Sequence, residues 1–154
     1  MATPQQLANL RELYEQAKAS QHIWPAMAAC EACLETGWLS DELGKDYNNV
    51  FGRKVSVGAE NPYQQVRLPT KEDIGDRVVS IWATFVWYPS KAESFTDRMA
   101  LLERLQDTYP DYKAALHAAT PEDYISSVSA KWSTDPDRGK KVLQIYHAHK
   151  DILQ

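Results

Sequence analysis

The segment Ala32-Cys33-Leu34-Glu35-Thr36-Gly37-Trp38 sets one carboxylate at the end of an otherwise apolar helical stretch, followed at once by Gly and Trp. Burial disfavours the ionised form of a carboxyl group, so a Glu against apolar surface can keep a proton to donate near neutral pH. Leu34, Trp38 and the small residues before Glu35 would supply that apolar wall. For a lone Glu the ordinary reading is a solvated residue at a helix end, with Gly37 as the left-handed cap. A second chemical pattern, Cys30-Glu31-Ala32-Cys33, has C-x-x-C spacing. Zinc needs four ligands, and neither a second Cys pair nor a matching spacing among His22, His117, His147 and His149 is present. A redox motif sits at a helix N-terminus, whereas this pair falls inside a helix already under way from Pro25. Cys30 and Cys33 therefore read as small core residues, and no metal or other cofactor is expected.

The elements that must position Glu35 follow from local signals. Thr3-Pro4 is a cap followed by Pro at the first helical position, and Leu7, Leu10, Leu13, Tyr14 and Ala17 recur at helical spacing. A second helix runs from Trp24-Pro25 to the stop at Gly37, its small residues implying close packing. Ser40-Asp41-Glu42-Leu43 suits another turn, and Asp46-Tyr47-Asn48-Asn49 reads as loop. From Asn61 to Tyr88 the pattern becomes β-rich, with a strand over 78–87 paired to Tyr63–Leu68, and Thr70–Asp76 as the polar connection between them. Ser90-Lys91-Ala92-Glu93 fits a capping box ahead of Phe95, Met99, Leu102 and Leu105. Thr120-Pro121 and Thr134-Asp135-Pro136 repeat the cap-plus-Pro pattern before two more helices. Five or six helices around one small antiparallel sheet make an α+β fold.

A chain of 154 residues with 44% hydrophobic and 25% charged residues fits a single globular domain spanning 1–154, not a disordered segment. The apolar stretch Val78 to Tyr88 is far short of the roughly 20 residues of a membrane span. A net charge of −4 with scattered positive residues argues against nucleic acid as a partner. The N-terminus shows no basic region followed by an apolar run, so no secretory signal peptide is expected.

Two boxes now combine: Glu35-Thr36-Gly37-Trp38, and Tyr47-Asn48-Asn49-Val50-Phe51-Gly52-Arg53-Lys54. Together they resemble the glucosaminidase domain of glycoside hydrolase family 73, with Thr36 for the usual Ser, Leu39 for the usual small residue, Val50 for Leu and Arg53 for an aliphatic residue. Phe85-Val86-Trp87-Tyr88-Pro89-Ser90 is similar to the family's closing-strand segment, with Ser94-Phe95-Thr96-Asp97 at the start of the helix that follows. Lys131-Trp132-Ser133-Thr134-Asp135-Pro136 is similar to its Tyr, Ala, Thr, Asp, Pro segment, with Trp132 at the Tyr position. The resemblance covers Ile23 to Leu153 and implies a lysozyme-like α+β fold, with a mainly helical lobe and a small β-hairpin lobe flanking a substrate groove. It also implies cleavage of the β-1,4 bond between N-acetylglucosamine and N-acetylmuramic acid in peptidoglycan.

Glu35 maps onto the family's catalytic acid. Glu72, in a segment resembling the family's hairpin strand, is the candidate second carboxylate, with Glu60, Asp73 and Glu93 as rivals. An oxocarbenium-like transition state calls for an anion on the opposite face, which stabilises charge, attacks, or activates water; the substrate's own acetamido group is the alternative nucleophile. Tyr88 and Trp132 are the expected aromatic platforms of the groove, and Trp38 and Phe51 are further candidates that also suit the core. Asn49, with Asn48, suits either a sugar amide or the shaping of its loop. The expected partner is the peptidoglycan glycan strand, met by a monomer at the cell wall after release by a holin, carriage on a virion, export by a secretion system, or as an excised domain. A muramidase or lytic transglycosylase on the same fold, and a decayed glycan-binding module, are the competing expectations.

Overall fold

The computed structural model describes residues 1–56 and 61–154, apart from the Asp73 side chain, so Glu60 and the Asp73 carboxylate lie outside the described part. In chain order the elements are α1 (Pro4–Ala19), α2 (Pro25–Glu35), α3 (Glu42–Tyr47), β1 (Gln64–Ile74), β2 (Arg77–Trp87), α4 (Lys91–Leu105), α5 (Pro110–Leu116), α6 (Pro121–Trp132) and α7 (Arg138–Ala148). The expected α+β class is observed, with α2 at the centre of the helical part, packed against α1 and α7.

Local chemistry explains the helix starts. Thr3 Oγ1 accepts from the Gln6 N–H at 3.1 Å while Gln6 Oε1 accepts from the Thr3 N–H at 2.8 Å, a reciprocal capping box. Ser90 and Thr120 cap α4 and α6 through the N–H groups of Glu93 and Asp123. In α2 every residue from Met27 to Cys33 is buried, the mark of a helix surrounded by protein on all sides. Both cysteines are free and in the core, where burial pushes the Cys33 thiol up to about 12 and raises that of Cys30 further, so neither is a thiolate at neutral pH.

The end of α2 is built tightly. Gly37 N–H donates to Leu34 O and Trp38 N–H to Cys33 O, the paired closure of a Schellman motif. Gly37, Trp38 and Leu39 all have positive φ, at 55°, 63° and 60°. Thr36 Oγ1 donates to Ala32 O and accepts from Leu39 N–H, which holds this run in place. Gly44 of α3 packs on the same corner, where a Cβ would lie 2.5 Å from Thr36 Cγ2.

Four expectations are corrected. The stretch over 70–74 is strand, not connection: β1 and β2 pair in register from Gln64↔Trp87 to Ile74↔Arg77, and only Gly75-Asp76 turns. Gly75 at φ +68° supplies the positive φ that such a two-residue turn requires. A two-stranded ribbon is exposed over much of both faces, so its outer half needs no apolar alternation, and Pro69 is tolerated because both strands are edges. The last helix starts at Arg138, not after Thr134: Asp135 accepts from the Asp137 N–H and from Lys141, extending the turn by two residues. Seven helices occur among the described residues, α5 being the one not anticipated, and Asp46-Tyr47 closes α3 where a loop was expected.

Candidate active site

Glu35 closes α2 beside an open groove of about 890 Å³. Its side chain is 27% exposed, so a solute in the groove reaches it. Phe51, Gly52 and the segment Arg53–Ser56 line the groove next to it, Trp132, Ser133 and Thr134 extend it from the end of α6, and Tyr109 and Tyr112 contribute aromatic surface. From the ribbon side come Lys71 and Glu72. Lys54 is joined to Phe85 by an isolated bridge and donates to Glu72 Oε1 at 2.7 Å, which ties the ribbon to the groove floor.

Behind Glu35 lies a buried ionic cluster. Glu31, one helical turn earlier and fully buried, accepts from Arg98 Nη1 (3.1 Å) and Nη2 (2.7 Å), from Tyr124 Oη (2.6 Å) and from Arg138 Nη2 (2.9 Å). Arg138 also donates through Nη1 to Ser129 Oγ (2.8 Å) and through Nε to Glu35 Oε1 (3.0 Å). Two carboxyl groups and two guanidiniums thus form one connected cluster. Desolvation pushes the Glu31 carboxyl up, but the charges of Arg98 and Arg138 and the bonds from Arg98 and Tyr124 outweigh it, so the group is held below the usual carboxylate range. The Arg98 guanidinium sits 4.3 Å from the ring centres of both Phe51 and Trp132, coupling the ion cluster to the aromatic floor. The setting of Glu35 is therefore an ion pair at the groove edge, not the apolar wall expected from its neighbours: Leu34 is only partly buried, and Trp38 turns away to an edge-on contact with His149.

The remaining candidates divide. Glu72 and Trp132 line the groove with Glu35; Phe51 borders it but is 2% exposed and serves as floor. Trp38 lines a different cleft, with Thr3, Asn9 and Lys91, because its left-handed backbone carries it past the helix end. Tyr88 does not face the groove: it is fully buried and donates its hydroxyl to Asp97. Asn49 is buried and its amide is used on backbone, donating to Arg53 O and Val86 O at 2.9 Å and accepting from Arg53 N–H. It shapes the loop and offers no donor to a ligand. Asn48, its neighbour, caps α3 and bonds to Tyr88 O and Lys91. Glu93 accepts from Tyr63 Oη at 2.8 Å, so its carboxylate leaves the capping box half-closed and lies away from the groove lining.

Sequence reasoning passed over Glu31, Arg98, Ser129 and Arg138. One signal existed: Glu31 is the single charged residue in a stretch of α2 that is otherwise apolar, and such a helix leaves it nowhere to be solvated.

The sequence matches the glucosaminidase family, described as mannosyl-glycoprotein endo-beta-N-acetylglucosaminidase, over residues 11–151. It is 29% identical over 127 residues to a probable N-acetylmuramidase of Lactococcus lactis subsp. cremoris, covering 80% of this chain and 28% of that protein. To the exo-glucosaminidase LytG of Bacillus subtilis it is 28% identical, covering 80% of this chain and 43% of the other. To the peptidoglycan hydrolase FlgJ of Vibrio parahaemolyticus it is 29% identical, covering 93% and 46%. The chain thus spans less than half the length of these relatives. Among solved structures, the catalytic domain of the autolysin Auto from Listeria monocytogenes superposes with a TM-score of 0.79 at 26% identity, covering all of this chain and 89% of that one. The glycoside hydrolase domain of Salmonella typhimurium FlgJ gives 0.72 at 27% identity, covering 95% and 98%.

Proposed function

The chain belongs to the glucosaminidase family of glycoside hydrolases, and we propose that it cleaves peptidoglycan at the β-1,4 bond between N-acetylglucosamine and N-acetylmuramic acid. Glu35 is the general acid and Glu72 the second carboxylate. The observation that carries this reading is that both line one open groove, Glu35 from the end of α2 and Glu72 from the ribbon. Of the rivals within the described residues, Glu93 is engaged with Tyr63 outside that groove. Action on the cell wall follows from the substrate.

In the reaction Glu35 gives its proton to the glycosidic oxygen as the C1–O bond breaks, and the leaving sugar departs as an alcohol. Positive charge spreads over C1 and the ring oxygen. Glu72 stabilises that charge, attacks C1, or takes a proton from the incoming water, and the spacing of the two carboxylates in the substrate complex selects among these. Trp132 and Tyr109, both partly exposed, offer apolar faces for sugar C–H groups.

A second reading has specific support: the Lactococcus relative is named a probable N-acetylmuramidase, which would cut the alternate bond. One experiment separates them. Purified sacculi are digested, the fragments reduced with borohydride, and the products read by mass spectrometry. A reduced N-acetylglucosamine end supports the proposal; a reduced muramic acid end supports the muramidase, and a 1,6-anhydro end a lytic transglycosylase. Binding to sacculi without release of fragments would identify a decayed module. Folded Glu35→Gln protein is expected to lose turnover by orders of magnitude, and lysis at the wild-type rate would refute the assignment of Glu35.

A further inference from the structure

Glu35 and Glu31 lie four residues apart on α2 and so share one face of the helix. One guanidinium spans them both: Arg138, the first residue of α7 and 2% exposed, puts Nη2 on Glu31 Oε2 and Nε on Glu35 Oε1, with Nη1 on Ser129 Oγ. Glu31 is itself immobilised by Arg98 and Tyr124, so Arg138 is held from behind before it touches Glu35. Among the described residues, Glu35 Oε2 has no hydrogen-bond donor, which leaves that oxygen for the groove.

We propose that Arg138 is a positioning residue for the general acid: anchored by Glu31 and Ser129, it fixes Glu35 through Oε1, turns Oε2 to the substrate, and stabilises the carboxylate left when the proton has gone. The inference rests on Glu35 being the acid. The ion pair strengthens as negative charge develops on Glu35 during proton transfer, so the interaction is worth more in the transition state than in the substrate complex. A planar guanidinium is needed for this geometry, since an ammonium has one nitrogen and cannot meet both carboxylates and Ser129 in fixed directions.

The test measures kcat and KM of Arg138→Met and Arg138→Lys on soluble glycan fragments, with thermal melting as the check on folding. The expected result is a fall in kcat of roughly 10²-fold for Arg138→Met, as for loss of one transition-state donor, with KM changed by less than about threefold. Arg138→Lys recovers part of the loss. In a Glu35→Gln background, Arg138→Met causes no further loss of the residual rate, because the amide acquires no charge. A purely structural role would instead add its loss in both backgrounds. Should Arg138→Met not fold, Arg138→Lys carries the test alone, since it keeps the charge beside Glu31. Wild-type kcat in either folded variant, or an additive loss in the Glu35→Gln background, overturns the proposal. If Glu35→Gln itself keeps full activity, the assignment of Glu35 fails first; if that variant is inactive while Arg138→Lys is unaffected, only the role of Arg138 falls.

Discussion

Replacing Glu31 by Gln should be among the most destabilising single changes in this protein. The side chain is fully buried and accepts four hydrogen bonds, from Arg98 Nη1, Arg98 Nη2, Tyr124 Oη and Arg138 Nη2. Glutamine keeps one acceptor oxygen and turns the other into an NH2. Arg98 Nη2 and Arg138 Nη2 both bond to Oε2 and Arg98 Nη1 bonds to Oε1, so whichever way the amide is turned its NH2 faces at least one guanidinium donor. The change also strips the neutralising charge from Arg98, which is wholly buried, and leaves Arg138 with Glu35 as its counter-ion. Removing one partner of a buried pair costs about 3–5 kcal/mol. For a chain of 154 residues the unfolding entropy is about 0.3 kcal/mol/K, so Tm should fall by roughly 10–15 °C. Urea unfolding and calorimetry measure this directly, with the exposed Glu103→Gln as a control expected to stay within about 0.5 kcal/mol. The double variant Glu31→Met, Arg98→Met should lose clearly less than the sum of its two singles, because removing a buried pair together avoids the stranded charge. A Glu31→Gln loss below about 1 kcal/mol, or strict additivity in the double variant, would refute the claim that this cluster holds the core.

Two further outcomes follow from the same packing. His22 is buried against Phe51, Phe95 and Tyr124, donates from Nδ1 to Ile23 O, and has its pKa lowered to about 4 by burial and by the charge of Arg98. Between pH 6.5 and 4 the unfolded chain therefore binds a proton that the folded one refuses, so stability should drop on acidification by about 1.4 kcal/mol per pH unit, to a total on the order of 3 kcal/mol, and be flat in this respect above pH 6.5. His22→Gln should remove that slope in urea titrations across pH, and an unchanged slope would rule out His22 as its source. Gly44→Ala would put a methyl 2.5 Å from Thr36 Cγ2, so a loss of roughly 1–3 kcal/mol in urea unfolding is expected, together with reduced turnover because Thr36 follows Glu35 directly; wild-type stability would show that the corner yields freely.

What could be read from the sequence is what local chemistry decides. The caps at Thr3, Ser90 and Thr120 depend on residues three apart, and the stop after Glu35 depends on Gly37, so these were legible. The boxes around Glu35 and Phe51 pointed to the family and to the α2 end of the groove. The ion cluster was not legible, because its partners lie 67 and 107 residues apart and a charged residue in isolation reads as solvent-facing. The same limit applies to Tyr88 and Trp132, two aromatics of similar appearance: one ends buried with its ring against Tyr63 and its hydroxyl on Asp97 of α4, the other lines the groove at the end of α6. Burial of an aromatic is decided by the layer that closes over it, and no neighbour in sequence reveals that layer.

The two sides of the groove differ in how they are held, and this bears on the division of labour between the carboxylates. Glu35 closes a helix buried on all sides, is followed by a hydrogen-bonded left-handed corner, and is gripped by Arg138. Glu72 stands on a two-stranded ribbon whose outer half exposes Val78, Ile81 and Trp82, and its partner among the described residues is Lys54, itself half exposed. Exposed pairs of this kind contribute about 0–1 kcal/mol, so the ribbon can shift its carboxylate at little cost, whereas moving Glu35 would break a buried network. Proton donation needs an acid fixed to within a fraction of an ångström of the glycosidic oxygen, while stabilising a diffuse positive charge tolerates a wider range of distance. On the proposed roles, the rigid side therefore suits the acid and the compliant side the counter-charge.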